Sequence, residues 1–321
     1  MIIRLIIFLA FLLFVWLSYR KRTSSLIAQE GKADSINTFS LVATLLATAI
    51  GGALIFGLIQ FGQISGGIGL LLAMVYCGAF ITLGVLAPFI RHTCRVMKER
   101  GLIGEKENLS LSLLLSRKYK KWAWAFILIV YALIYVAFLA AQYVALVAIV
   151  KAMGLQISPE WSIVIGATAI FLYVSIAGYL AVIGTDIVQL VIIFLIFIVG
   201  LFLVVWHCIN HGVNFSMLPI DYWNPVADPK LASTFVWLVV FTLPTLVLRI
   251  DHWQRITTAL DDKTARNGYI IAGLILVAVF LTLLSIGFAN RLDGNGDPFY
   301  LYKTYLLGTG GLVREIVYGL A

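Results

Sequence analysis

Long apolar blocks alternate with short polar segments along this chain, and the pattern predicts membrane-spanning helices. Each block has about 20 residues, which in an α-helix covers the ~30 Å hydrocarbon core of a bilayer. Hydropathy over windows of that length predicts eight spans. They lie at 2–18, 37–61, 66–90, 122–150, 161–179, 187–207, 232–250 and 267–289. A further apolar segment begins near residue 312, too close to residue 321 to cross.

Composition and charge support this interpretation. Hydrophobic residues make up 62% of the chain and charged residues 12%, against about half and a quarter in soluble domains. The net charge of +8 would suit an anionic partner such as nucleic acid, but 17 of the 23 Lys and Arg residues fall in the loops at 20–32, 91–121 and 249–266. Because basic loops stay in the cytoplasm, we expect a multi-pass protein of the plasma (inner) membrane with its N-terminus outside. The expected surroundings are lipid, and no nucleic-acid partner is expected.

The basic loop at 91–121 contains a leucine-rich stretch with interspersed serines at 108–119. Such a segment suits either an amphipathic helix on the membrane surface or an ordinary cytoplasmic connector. Both interpretations stay open at this point.

The first long span after residue 36 contains a glycine pair, Gly51 and Gly52, at mid-membrane depth, preceded by the hydroxyls of Thr44 and Thr48. Such a stretch predicts a helix break, and free backbone groups in a bilayer are tolerated where they line a cavity. Close helix packing through small residues is the alternative.

A second interruption is predicted in the span at 232–250, where Pro244 lies between Thr242 and Thr245. Proline removes a backbone hydrogen bond and kinks a helix. Four spans without a comparable interruption separate the two. This spacing suits an inverted repeat of five spans, in which the first helix of each repeat is broken near a midplane site.

Three stretches carry a family resemblance. SLVAT at 40–44 runs into the glycine pair, AGYLAVIGTDIVQ occupies 177–189, and DHWQR occupies 251–255. They resemble the first core helix, the Gly-x-x-Ala-Val-x-x-Thr-Asp-x-x-Gln signature and the Trp-Gln-Arg loop of the sodium:solute symporter family. The resemblance extends over essentially the whole chain.

That resemblance implies an all-α membrane protein with a LeuT-type inverted-repeat helical bundle. Residues 1–321 would form one transmembrane domain, with an extra N-terminal helix at 2–18, core helices 1 to 7 at about 37–289 and a stub of core helix 8 from about 312. The bundle would therefore be truncated within its second repeat.

The resemblance also implies a sodium ion, bound by backbone carbonyls at Ala43 and Leu46 and by hydroxyls of the eighth helix. Those hydroxyls would lie beyond Ala321, so the site is expected to be incomplete in this chain. Asp186, with Thr185, is implied as a cytoplasmic ion-exit gate. A helix N-cap formed by the same two residues is the alternative.

The solute cavity is expected to include Thr44, Thr48, Ile50, Cys77, Thr242 and Thr245. Ile50, Cys77 and Thr242 match positions where sugar carriers of this family have amides and a carboxylate. An apolar pocket leaves sugar hydroxyls unpaired. A monosaccharide is therefore disfavoured, and a small organic anion, an amino acid or no transported solute stays open.

Some polar side chains within the spans have two interpretations. Tyr131, Tyr135, Gln142 and Tyr143 lie on one stripe of the span at 122–150 and suit either a cavity or helix packing. His207 and His211 have the spacing of two metal ligands on one helix face, but the sequence offers no nearby carboxylate. We therefore interpret both histidines as interfacial residues and expect no metal beyond sodium.

No sequence motif of an enzyme is present, with neither HExxH nor GxSxG nor a P-loop. The prediction is a sodium-coupled symporter of a small organic solute. Two alternatives stay open: a transporter-like sensor input with a fused or partner signalling domain, and an inactive truncated carrier.

Overall fold

The computed structural model describes residues 36–104, 109–110, 113–115, 119–152, 157–212, 214–226, 229–294, 296–297 and 300–302. All regular elements in these residues are helical, and an isolated parallel bridge joins Ile36 to Ala259. The predicted helix at 2–18 and the segment from about 312 lie outside them.

The helices are numbered here in chain order. They are α1 (Thr38–Ala49), α2 (Gly52–Ile64), α3 (Gly66–Glu99), α4 (Lys120–Ala152), α5 (Pro159–His211), α6 (Ile220–Trp223), α7 (Pro229–Trp237), α8 (Leu243–Leu248), α9 (Ile250–Thr258), α10 (Asp262–Leu292) and α11 (Tyr300–Tyr302). A 3₁₀ turn at Phe215–Met217 precedes α6, and a π-helical segment at Leu238–Thr242 joins α7 to α8.

Four helices in the described residues are long and apolar enough to cross a membrane. They are Gly66–Glu99, Trp124–Ala148, Gln189–His211 and Asp262–Leu292. The bent pair α1 and α2 passes the same test when taken as one span, which makes five. The predictions of an all-helical, multi-pass membrane protein are therefore confirmed.

The predicted span at 232–250 is a helical run made of α7, the π-helical segment and α8. Pro244 is in the first turn of α8, directly after the π-helical segment. Because proline has no N–H, the carbonyl four residues earlier loses its α-helical partner, and a wider turn accommodates this. The interruption predicted here is thus a local change of helix type.

The spans predicted at 161–179 and 187–207 lie in one helical run of 53 residues, α5, in which Gln189–His211 is long and apolar enough to cross a membrane. The intervening LAVIGTD contains no proline and no run of charges to end a helix. Gly166 lies beside Leu146 of α4, Asp186 contacts Thr44 of α1, and His207 contacts Asp293, which follows α10.

Two predicted cytoplasmic loops meet at one end of the helices. The Arg91 guanidinium donates to the carbonyls of Ile256 at 3.0 Å and Ala259 at 2.5 Å, and to Asp262 at 2.8 Å. The loops at 91–121 and 249–266 therefore share what we call the basic end, as their charge predicted. Leu109 is fully buried in the core there, which favours the connector interpretation of the 108–119 segment.

The opposite end, called the far end here, is held by Arg291 of α10. Its guanidinium donates to the carbonyl of Gln63 at 2.7 Å and lies 4.7 Å from the centre of the Tyr222 ring. The Tyr222 hydroxyl in turn donates to the Gly62 carbonyl. These contacts fasten α2 and α6 to α10.

Helix α10 is at the centre of the packing. It contacts α1, α2 and, most extensively, α3, which also contacts α8 and α9. Its approach to α2 is close, because a Cβ at Gly62 would lie 2.6 Å from the Leu284 carbonyl oxygen. We call α1, α2, α3, α8 and α10 the central group. Helices α4 and α5 pack against it, α4 on α2 and α5 on α1 and α10.

Candidate functional site at the helix break

The break between α1 and α2 lies at the glycine pair that the sequence singled out. The Ile50 N–H donates to the Leu46 carbonyl at 2.8 Å, and α2 begins at Gly52 after a bend of 61°. Gly51 is the N-cap of α2 and has no side chain to accept from the first N–H groups of that helix. The break therefore leaves backbone donors that need a partner from elsewhere.

Gln142 of α4 supplies that partner. The Ala53 N–H donates to the Gln142 side-chain oxygen at 3.2 Å. A Cβ at Gly51 would lie 2.6 Å from the Gln142 side-chain nitrogen, so a larger residue at this position would displace the amide. A polar side chain in an otherwise apolar span thus meets the broken helix at its break.

Asp186 of α5 contacts the face of α1 that precedes the break. The Thr44 hydroxyl donates to its carboxylate, and both side chains are buried. Asp186 lies within α5 rather than at a helix start, which rules out the N-cap alternative. The side chain of Thr185 is outside the described part of the chain.

One helical turn further along α1, Thr48 contacts a cluster of charges from α9. Arg255 donates to the Thr48 hydroxyl at 2.7 Å and to Asp251 at 2.9 Å. Arg249 binds Asp251 through two hydrogen bonds of 2.9 and 2.8 Å, and the Tyr135 hydroxyl of α4 donates to Asp251 at 3.1 Å. Two arginines and a tyrosine therefore converge on one carboxylate beside the broken helix.

Three of the four polar side chains in the stripe of α4 form hydrogen bonds with neighbouring helices. Tyr131 donates to the Leu248 carbonyl at 2.5 Å, Tyr135 to Asp251, and Gln142 accepts from α2. Tyr143 instead lies near Gly166 of α5. Most of the stripe thus bonds directly to neighbouring helices at the polar site.

The electrostatics of α9 keep Asp251 ionised. Burial by itself would raise the pKa of Asp251, but the neighbouring positive side chains, Arg249 and Arg255 among them, outweigh it and hold the pKa well below its usual range. At neutral pH the charges of Arg249 and Arg255 therefore face an ionised Asp251, and this pairing makes burial of the carboxylate tolerable.

His252, beside Asp251, is neutral at pH 7. Complete burial lowers the pKa of His252 to about 3. The Tyr269 hydroxyl donates to the His252 carbonyl at 2.9 Å, so it accepts from the ring Nδ1, which lies 3.2 Å away. We infer the Nδ1–H tautomer, which leaves Nε2 as a buried acceptor with no hydrogen-bond partner among the described residues.

The remaining predicted cavity residues lie in different surroundings. Ile50 and Cys77 are buried in the apolar core. The Thr242 hydroxyl is buried without a hydrogen-bond partner in the described part of the chain, Thr245 is half-buried, and Pro244 is exposed. The polar side chains at the break come from α4, α5 and α9 rather than from the Pro244 region.

The two positions implied for sodium do not form a complete site. Ala43 and Leu46 are fully buried inside α1, and the Leu46 carbonyl already accepts the Ile50 N–H. A hard cation needs several oxygen ligands, and two carbonyls of a regular helix do not supply them. No group of three or more His, Cys, Asp or Glu residues suited to a metal ion occurs among the described residues.

Sequence reasoning missed the role of Arg249 and Asp251, and quoted Arg255 only as part of a family motif. One signal was available: Asp251 and Arg255 are four residues apart at the end of an apolar span, the spacing of an ion pair on one helix face. The pairing of Arg255 with Thr48 joins residues 207 positions apart, and nothing local in the sequence indicates it.

No protein-family model matches the chain, and no curated protein is significantly similar to it.

Proposed function

We propose that this chain is the membrane domain of a secondary transporter for a small organic solute. It would lie in the inner membrane with its basic end facing the cytoplasm. The observation that carries the proposal is the broken span, whose free backbone and hydroxyl groups meet polar side chains from three other helices. Non-helical backbone at membrane depth is tolerated where it lines a cavity or a pathway.

The packing supports movement of one helix group against another. The central group packs around α10, and α4 and α5 lie against it. Alternating access in inverted-repeat carriers is a rocking of two such groups around a fixed site. A LeuT-type arrangement, which the sequence resemblance implies, would assign α1, α2, α3, α7 with α8, and α10 to the moving bundle.

Polar contacts between the two groups make a gate at the basic end. Thr44 binds Asp186, Tyr131 binds the Leu248 carbonyl, and Tyr135 binds Asp251. Each joins α4 or α5 to the central group or to α9, which packs on it. In the proposed cycle these bonds break when the basic end opens and re-form when it closes.

Asp186 is the proposed coupling residue. A carboxylate near a membrane helix is a functional candidate by default, and this one is bonded to the inner half of the broken span. The resemblance names sodium as the coupling ion. Ile50 and Cys77, which match the pocket positions of sugar carriers in the resembled family, imply a solute with few hydroxyl groups.

Uptake by the full-length chain in proteoliposomes tests the proposal. The panel contains a labelled monocarboxylate, an amino acid and a monosaccharide, each with and without an imposed sodium gradient. We expect gradient-driven accumulation of one of the first two. Equal, gradient-independent retention of all three solutes would refute the proposal.

A further inference from the structure

The segment that leads into α1 is bound to the turn between α9 and α10. The Ile36 N–H donates to the Thr258 carbonyl at 3.3 Å, and the Leu260 N–H donates to the Ile36 carbonyl at 3.0 Å. Ile36 and Ala259 are therefore paired as in a parallel sheet, and both are buried. Two backbone hydrogen bonds thus tie the start of the broken span to a turn that is distant in sequence.

Arg91 of α3 binds the same turn. Its side chain is only 7% exposed. The guanidinium donates to the carboxylate of Asp262 and to the carbonyls of Ile256, Thr257 and Ala259. The last carbonyls of a helix have no partner within it, and a cation there also complements the helix dipole. Arg91 therefore fixes the end of α9 and the start of α10 against α3.

The two sets of bonds interlock on consecutive peptide groups. Arg91 binds the carbonyl of Ala259, whereas Ile36 is bonded to the preceding carbonyl of Thr258 and the following N–H of Leu260. A change in the backbone of this turn would break both sets, and buried hydrogen-bonding groups that lose their partners are costly. We call Ile36, the turn at 256–260 and Arg91 the basic-end clamp.

Helix α1 follows the clamp directly and is bound to α9 again near its other end. Asn37 is the N-cap of α1, and its side chain accepts from the Ser40 N–H at 2.9 Å. Only this cap separates Ile36 from the helix. Near the break, the Thr48 hydroxyl accepts from Arg255 of α9 at 2.7 Å. A tilt of α1 away from α9 would therefore break contacts at both of its ends.

We propose that the basic-end clamp makes α1, α3, α9 and the start of α10 one rigid body, so that the basic end opens by movement of α4 and α5 and not by a swing of α1. The contacts of the gate agree with this division, because Thr44–Asp186 and Tyr135–Asp251 each join that body to α5 or α4. The bonds of the clamp lie within the body. The inference rests on the proposed carrier function only in treating the opening as part of a transport cycle.

Amide hydrogen exchange, resolved to single residues in the full-length protein in detergent, tests the clamp without a transport assay. We expect the N–H groups of Ile36 and Leu260 to exchange slowly, and Arg91→Gln to accelerate both several-fold, because the clamp opens as a unit. Arg95→Gln is the matched control. Arg95 also binds Asp262, but its side chain is 54% exposed and it makes no bond to the turn carbonyls within the described residues.

The control should leave both exchange rates as in the parent chain. Unaltered exchange of the Ile36 N–H in Arg91→Gln would overturn the clamp, as would equal acceleration in Arg95→Gln. Because exchange needs no solute, absence of uptake would refute the carrier and leave this measurement decisive for the clamp.

A second variant keeps Arg91 in place and locks the clamp covalently. Ile36→Cys and Ala259→Cys are combined in a chain whose three native cysteines are replaced by alanine. Paired strands lie about 4.8 Å apart, which suits a disulfide. We expect the disulfide to form on oxidation and the uptake rate to equal that of the reduced protein. Failure of the disulfide to form, or a loss of uptake that a reductant restores, would overturn the inference.

Discussion

Gly51 and Gln142 make the broken span possible as a pair. The glycine leaves room for the amide, and the amide accepts the backbone N–H that the break frees. Neither residue explains the site alone, because a larger side chain at 51 would displace the amide and a missing amide would leave the donor unpaired.

Gly51→Ala is expected to destabilise the folded protein by about 1 kcal/mol, because its Cβ would push Gln142 from the Ala53 N–H. The measurement is thermal unfolding in detergent. Gly57→Ala in the same helix is the matched control, since a Cβ there meets nothing within 4 Å. In the Gln142→Ala background the effect of Gly51→Ala should nearly vanish; strictly additive effects would contradict the coupling.

Asp186→Asn in the full-length protein tests the proposed coupling residue. The amide oxygen can still accept from Thr44, so folding should be retained while the acidic group is lost. We expect uptake to lose its dependence on the ion gradient. The matched control is Asp221→Asn, an exposed acid of α6 at the far end, and an unaltered ion dependence in Asp186→Asn would remove the assignment.

His252 predicts a pH dependence of stability. Its folded-state pKa of about 3 lies below the ordinary value of 6.5, so the unfolded chain binds a proton that the folded chain excludes. The stabilisation is complete above about pH 6.5 and falls towards pH 3, by roughly 1.4 kcal/mol per pH unit.

The melting temperature between pH 7 and 4.5 checks this, and His252→Gln should flatten the slope. The contribution of Asp251 has the same sign but begins only below about pH 4, the ordinary range of an aspartate. An identical slope in the variant and the parent chain would show that the buried histidine is not the source.

At the level of elements, the long apolar helices and the glycine break could be predicted because their signals are local. Runs of about 20 apolar residues predict the spans in α3, α4 and α10, and Gly51–Gly52 predicts the bend between α1 and α2. The continuity of α5 could not, because a short apolar linker such as LAVIGTD suits a helix as well as a turn. The contact between the charge cluster of α9 and α1 could not be predicted either, because only tertiary packing brings Thr48 to Arg255.

Asp251→Asn tests whether that cluster acts as a unit. The change leaves Arg249 and Arg255 buried without their shared carboxylate, which typically costs about 3–5 kcal/mol. We expect a marked fall in melting temperature, partly reversed by adding Arg255→Gln. Asp262→Asn, whose more exposed carboxylate also binds two arginines, should cost about 1 kcal/mol or less; equal effects at the two sites would contradict the account.

At the scale of the whole molecule, polar bridges join α4 and α5 to the central group at both ends. The basic end uses hydroxyls and an arginine-rich cluster, and the far end uses a histidine and an aspartate. A closed arrangement at both ends suits an intermediate of alternating access, in which each end opens in turn. The central claim is that the broken span borders a watery pathway that the contacts of the basic end close.

The most direct test is the reaction of Thr48→Cys, in a chain without other cysteines, with a membrane-impermeant thiol reagent applied from the basic side. The account predicts clear labelling, accelerated when Tyr135→Phe removes one hydrogen bond of the gate. Val85→Cys, on an exposed apolar position of α3, is the lipid-facing control and should label little. Labelling of Thr48→Cys no faster than Val85→Cys, from either side and with or without Tyr135→Phe, would contradict the claim that the break lines a pathway.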